Sequence, residues 1–153
     1  MGVSKTVALC AFIVSVGVWI ILSVCAPWVL GDNNRFMKDF LSDKVLSFLG
    51  VIVTITLALI ANLHLELNKI EQAAGRRGFP KARLRLRQSA AWMIAMLLAA
   101  VALDVVKPLI NAEEIVASFI NGASLLIVIF NALILIDITQ MVFQIEPNLP
   151  PDE

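Results

Sequence analysis

Four long apolar runs, separated by short charged segments, constrain this chain more than any other feature. Residues 6–25, TVALCAFIVSVGVWIILSVC, contain no charged side chain, and similar runs cover about 45–65, 89–106 and 118–136. A helix of about 20 apolar residues crosses a hydrocarbon core of about 30 Å. In lipid the backbone must satisfy its own hydrogen bonds, which leaves helices or closed barrels. The runs therefore predict an all-α integral membrane protein with four transmembrane helices. Hydrophobic residues make up 59% of the chain, above the rough half of a soluble domain. The segments between runs are too short for a second domain, so residues 1–153 read as one transmembrane unit.

Orientation follows from residues 66–88, ELNKIEQAAGRRGFPKARLRLRQ. This stretch holds seven of the chain's twelve basic residues, Lys69, Arg76, Arg77, Lys81, Arg83, Arg85 and Arg87, against two acids, Glu66 and Glu71. A short basic loop between two apolar spans reads as cytoplasmic. With Lys5, eight basic residues then face inward, and Arg35, Lys38, Lys44 and Lys107 face outward. The expected topology is N-in and C-in.

The second helix has no breaker before Gly75, which suits a C-terminal cap. Pro80 suits the first turn of the next helix. Helices two and three should therefore extend past the membrane as one basic hairpin. Folding it about Arg77 sets Glu71 opposite Arg83 and Glu66 opposite Arg87. Arg76, Arg77, Lys81 and Arg85 are left without an obvious acid partner, as candidates for lipid head groups or a protein partner.

The spans carry few polar groups. Small residues recur on span two at Ser47, Gly50, Thr54, Ala58 and Ala61, and on span three at Ala91, Ala95 and Ala99. Such stripes let helix backbones approach closely in lipid. They predict helix packing or oligomer contacts at Gly50, Thr54, Ala58, Ala91, Ala95 and Ala99. On span four, Asn121, Ser124 and Asn131 share one stripe. A buried amide such as Asn131 is expected to bond across helices; the sharper reading makes it a pore gate. Asp104, three residues before Lys107, is expected to pair with it, or to sit at a pore mouth.

Between spans one and two, GDNN at 31–34 forms a turn, and Phe36, Met37, Phe40 and Leu41 then recur at helical spacing. They predict a short amphipathic piece leading into span two. Cys10 and Cys25 fall fifteen residues apart on one helix, about 22 Å, too far to bridge within the chain. The first run is longer than a signal-peptide core of about 7–15 residues and reads as a retained span. The acidic, Pro-rich tail, 146–153, lies beyond the last helix and within reach of the basic hairpin.

Catalytic signatures are missing. The chain has one histidine, His64, read as an interface residue, and two distant cysteines, so no metal-ligand set is expected. It has no phosphate-binding G-x-x-x-x-G-K loop and no G-x-S-x-G elbow. No enzyme, metal or cofactor is expected.

This layout resembles the small four-span membrane proteins of bacterial phage exclusion and defence, such as the RexB family of lambdoid phages. Val142-Phe143-Gln144 at the end of helix four is similar to that family's ending. Arg76-Arg77 sit where the family carries basic residues. The membrane subunit of the Kiwa defence system has a similar layout and works beside a cytosolic partner. The resemblance covers the whole chain in architecture, and the Pro-rich tail departs from it. It implies the bacterial inner membrane and a role in anti-phage defence.

Two functions fit these expectations. In the first, a homo-oligomer anchors or signals to an acidic cytosolic protein through Arg76, Arg77, Lys81 and Arg85, with nucleic acid engaged only indirectly. In the second, subunits form a pore that depolarises the membrane on a trigger, lined or gated by Thr54, Asn131 and Asp104. The first is preferred, because the hairpin is the most specialised feature and the spans hold almost no charge.

Overall fold

A computed structural model describes residues 3–75, 79–110 and 113–144, and every ordered element among them is helical. The order is α1 (Val3–Cys25), α2 (Pro27–Leu30), α3 (Arg35–Asp39), a π turn (Phe40–Lys44), α4 (Val45–Ala74), α5 (Pro80–Val106), a 3-10 turn (Lys107–Leu109) and α6 (Glu114–Gln144). Three helical stretches are long and apolar enough to cross a membrane: Val45–Ala73, Pro80–Leu109 and Glu114–Val142. A fourth arises where Leu9–Cys25 is taken together with Pro27–Asp39, bent from it by 112°. The bend follows from Pro27, which cannot continue the ladder of α1 and instead opens α2 at its first turn.

α6 is the element on which the others assemble. It packs against α1, α2, α4 and α5, while α4 and α5 also pack on each other. Among its buried positions, Ala117, Asn121, Ser124, Ile127, Asn131 and Ile138 recur at steps of three, four and seven, with Ser118 and Gly122 buried beside them. That spacing keeps one seam facing the neighbouring helices. α1 lies antiparallel to α6, with Phe12 edge-on to Phe130 and Trp19 edge-on to Phe119, each at 5.7 Å between ring centroids. Gly122 makes this contact possible, because a Cβ there would overlap the indole Cδ1 and Nε1 of Trp19.

The amphipathic piece between α1 and α4 is present and continuous with α4. Asn34 caps α3, its side-chain oxygen accepting from the N–H groups of Phe36 and Met37. Met37 and Leu41 are buried with Leu30 and Val45 over Trp19 and Leu125, while Phe36 faces outward. At the opposite end, Leu63 and Leu67 of α4 bury against Leu86 of α5 and Ile138 of α6. Gly75 closes α4 in the left-handed conformation, φ 63°, and Pro80 opens α5.

The small-residue stripes do not face the core. Ser47, Thr54, Ala58, Ala61, Ala91, Ala95 and Ala99 are exposed, and nothing lies within 4 Å of a Cβ built on Gly50. Larger side chains explain this: the α4–α5–α6 seam is filled by Leu49, Ile52, Val53, Met93 and Ile127, with Ala100 as its small member. As a packing seam within the chain, the stripe assignment is corrected.

Candidate functional site

Polar side chains gather at the two ends of the bundle. At the end bearing residues 26–34, the segment crosses over α6 and is held there by Asn121. Its Nδ2 donates to the Leu30 carbonyl at 2.7 Å and to Asp32 Oδ1 at 3.0 Å. Lys107 Nζ donates to the same Asp32 oxygen at 2.6 Å, and Asn33 Nδ2 donates to Glu114 Oε1 at 2.5 Å. One cluster thus ties the 26–34 segment to the ends of both α5 and α6. Burial pushes the Asp32 carboxyl up, but the hydrogen bonds from Lys107 and Asn121 and the charges of Lys107 and Lys38 outweigh it and hold Asp32 below its ordinary value.

Asp104 lies beside this cluster without joining it. It lines a cavity of about 260 Å³ with Lys107, Asn121 and Ser124. The expected Asp104–Lys107 pair is present only as an electrostatic contact across the cavity: the ammonium of Lys107 is hydrogen-bonded to Asp32 instead. In the sequence Asp32 belongs to the GDNN turn, and spacing brings no signal for a partner 75 residues away.

The other end is the hairpin. Glu71 accepts Arg83 Nη2 at 2.6 Å on one oxygen and the Phe79 N–H at 3.1 Å on the other. The same Arg83 nitrogen donates to Asn68 Oδ1 at 2.5 Å. The expected Glu71–Arg83 bridge is present, and Glu71 also closes the turn. The expected Glu66–Arg87 bridge is not formed: Glu66 instead binds Lys69, three residues on, at 2.7 Å. Neighbours on one helix face meet at lower entropic cost than side chains across a hairpin. Arg85, expected to lack an acid, lies 3.9 Å from Asp137 of α6, with both side chains about half exposed. Lys81 is exposed too. Arg76, Arg77 and the 146–153 tail lie outside the described residues.

The candidate pore residues fall in three places. Thr54 is exposed on α4 and bonds the Gly50 carbonyl of its own helix at 2.7 Å. Asp104 lines the cavity beside Lys107. Asn131 is fully buried in the bundle. Asn131 donates to Ile127 O of its own helix at 2.9 Å, and its Oδ1 has no partner among the described residues. The expected bond across helices is thus corrected. It is Asn121, ten residues earlier on the same seam, that reaches another segment.

Among the described residues, no group of three His, Cys, Asp or Glu side chains is placed to hold a metal ion. Cys10 and Cys25 are exposed and unpaired. Fold and site together define an all-helical chain with three to four helices fit to cross a membrane, tied by a polar cluster at one end and a braced basic hairpin at the other. No family model, no curated protein and no solved structure matches it.

Proposed function

We propose that this chain is a four-span, N-in/C-in subunit of the bacterial inner membrane that self-associates and holds an acidic cytosolic protein on its basic hairpin. The observation that carries the reading is the bracing of that hairpin. Glu71, Asn68 and Arg83 lock the two helices of the hairpin together, and Leu67 and Leu86 bury their contact. A rigid arm carrying Lys81 and Arg85 outward is what a docking element needs, because little order is lost on binding. The contact of Arg85 with Asp137 is long and exposed, so it costs little to give up. Arg76 and Arg77, at the tip by sequence, belong to the same proposal.

A role in anti-phage defence rests on the resemblance to phage-exclusion proteins. The pore-forming alternative draws less support, since Thr54, Asp104 and Asn131 are not gathered on one path.

A photo-crosslinking residue at Lys81 tests the proposal in intact cells. An acidic protein should be captured, and capture should be lost when Arg76, Arg77 and Arg85 are changed to Glu. Capture that survives charge reversal removes the hairpin assignment. A voltage-sensitive dye in cells expressing the chain should report an unchanged potential. Depolarisation abolished by Asn131→Leu would establish the pore instead.

A further inference from the structure

We infer that the groove between α4 and α5, at the root of the hairpin, binds an anionic phospholipid. The groove has a volume of about 890 Å³ and opens to the outside of the bundle. Its apolar part is formed by Leu57, Ala61 and Ala90, and its polar part by His64, Arg83 and Arg87. The bond from Arg83 to Asn68 sets the register of the two antiparallel helices. In that register Arg87 stands level with His64, and Ala90 with Ala61. The groove is therefore apolar along its length, with its basic side chains confined to the half nearer the hairpin, where Leu84 and Pro80 also line it. A phospholipid matches this arrangement, with acyl chains below a phosphate.

Three further observations favour that occupant. No carboxylate lines the groove among the described residues. Arg87 is exposed and has no ion pair among the described residues, Glu66 being turned to Lys69. Arg83, although bridged to Glu71, keeps a buried Nε–H with no acceptor among the described residues. Arg87 and His64 thus give the groove a basic rim with no carboxylate facing it among the described residues. Trp92 fixes the depth: it is exposed one turn or so along α5 from Arg87, and tryptophan favours the level of the lipid head groups. Guanidinium and phosphate pair well in both charge and shape.

The inference needs α4 and α5 to cross the bilayer, but it does not need the protein partner on Lys81 and Arg85. The test uses the full chain, purified in detergent, with phosphatidylglycerol or phosphatidylcholine added, and bound lipid counted by native mass spectrometry. Phosphatidylglycerol should be retained in preference to phosphatidylcholine. Arg87→Gln should weaken its retention by about fivefold, from the usual contribution of one basic residue near an anionic surface. Arg87→Lys should restore much of it. Ala61→Trp, which fills the acyl part, should weaken retention while leaving the charges in place. Both sites are exposed, so neither change threatens the fold. Equal retention of the two lipids, or retention unchanged by Arg87→Gln and Ala61→Trp alike, overturns the inference. So does a shift from oligomer to monomer in Ala61→Trp without loss of lipid, which would make the groove a subunit contact. Loss of the Lys81 crosslink with lipid retention intact would remove only the partner.

Discussion

Asn121 and Asn131 are the same residue type on the same seam of α6, both buried, yet they do different work. Asn121 bridges to the Leu30 carbonyl and to Asp32. Both leave the side-chain oxygen without a partner among the described residues, but Asn131 bonds only its own helix. Asn121→Leu should therefore destabilise the protein by about 1–3 kcal/mol, the cost of leaving buried partners unsatisfied. Asn131→Leu should be neutral or stabilising, since it removes an unpaired group along with its bond. Thermal unfolding in detergent, followed by circular dichroism, would compare them; equal losses would contradict the assignment. Gly122 gives a third single-residue case. Gly122→Ala drives a methyl into Trp19 and should cost about 1–3 kcal/mol. Trp19→Leu in the same chain should recover part of that loss, because it removes the overlapping ring. If the double variant is no better than the single, the contact is not the cause.

At the scale of elements, the hairpin was legible because its signals are local. Gly75 and Pro80 end and start helices by their own backbone chemistry, and the apolar runs on either side fix what they join. The Glu71–Arg83 bridge follows once the turn is placed. The Glu66–Arg87 bridge did not follow, because a nearer competitor, Lys69, lies on the same helix face. The cluster at the other end was not legible. Asp32, Lys107 and Asn121 come from three segments, and only the path of 26–34 over α6 brings them together. The contrast between the two acids predicts an element-level outcome. Glu71→Gln should raise amide exchange at Phe79 and through the first turn of α5, with a loss of about 1 kcal/mol. Glu66→Gln should leave the same amides unchanged. Hydrogen exchange with mass spectrometry would show both, and matching increases would mean the hairpin is not braced as described.

At the scale of the whole molecule, the small-residue stripes pose the sharpest question, since the sequence placed them in packing and the fold turns them outward. A chain that uses Leu49, Ile52 and Met93 to pack its own helices has no internal need for Ala91, Ala95 and Ala99 in register. In lipid, leucine would serve those positions as well as alanine, because acyl chains are as apolar as either. Small residues gain their advantage only where another helix backbone comes close. The self-association proposed above therefore has its natural seat at Gly50, Thr54 and Ala58 of α4 and Ala91, Ala95 and Ala99 of α5, with Ala61 left to the lipid groove. Ala58→Leu with Ala95→Leu should leave unfolding of the single chain within about 0.5 kcal/mol, as for exposed sites generally. The same pair should convert the oligomer to monomer in mild detergent. Light scattering coupled to size exclusion would read the second effect, and thermal unfolding the first. A variant that unfolds at lower temperature while staying oligomeric would place the stripes inside the protomer after all. One that is unchanged in both would leave these faces to lipid.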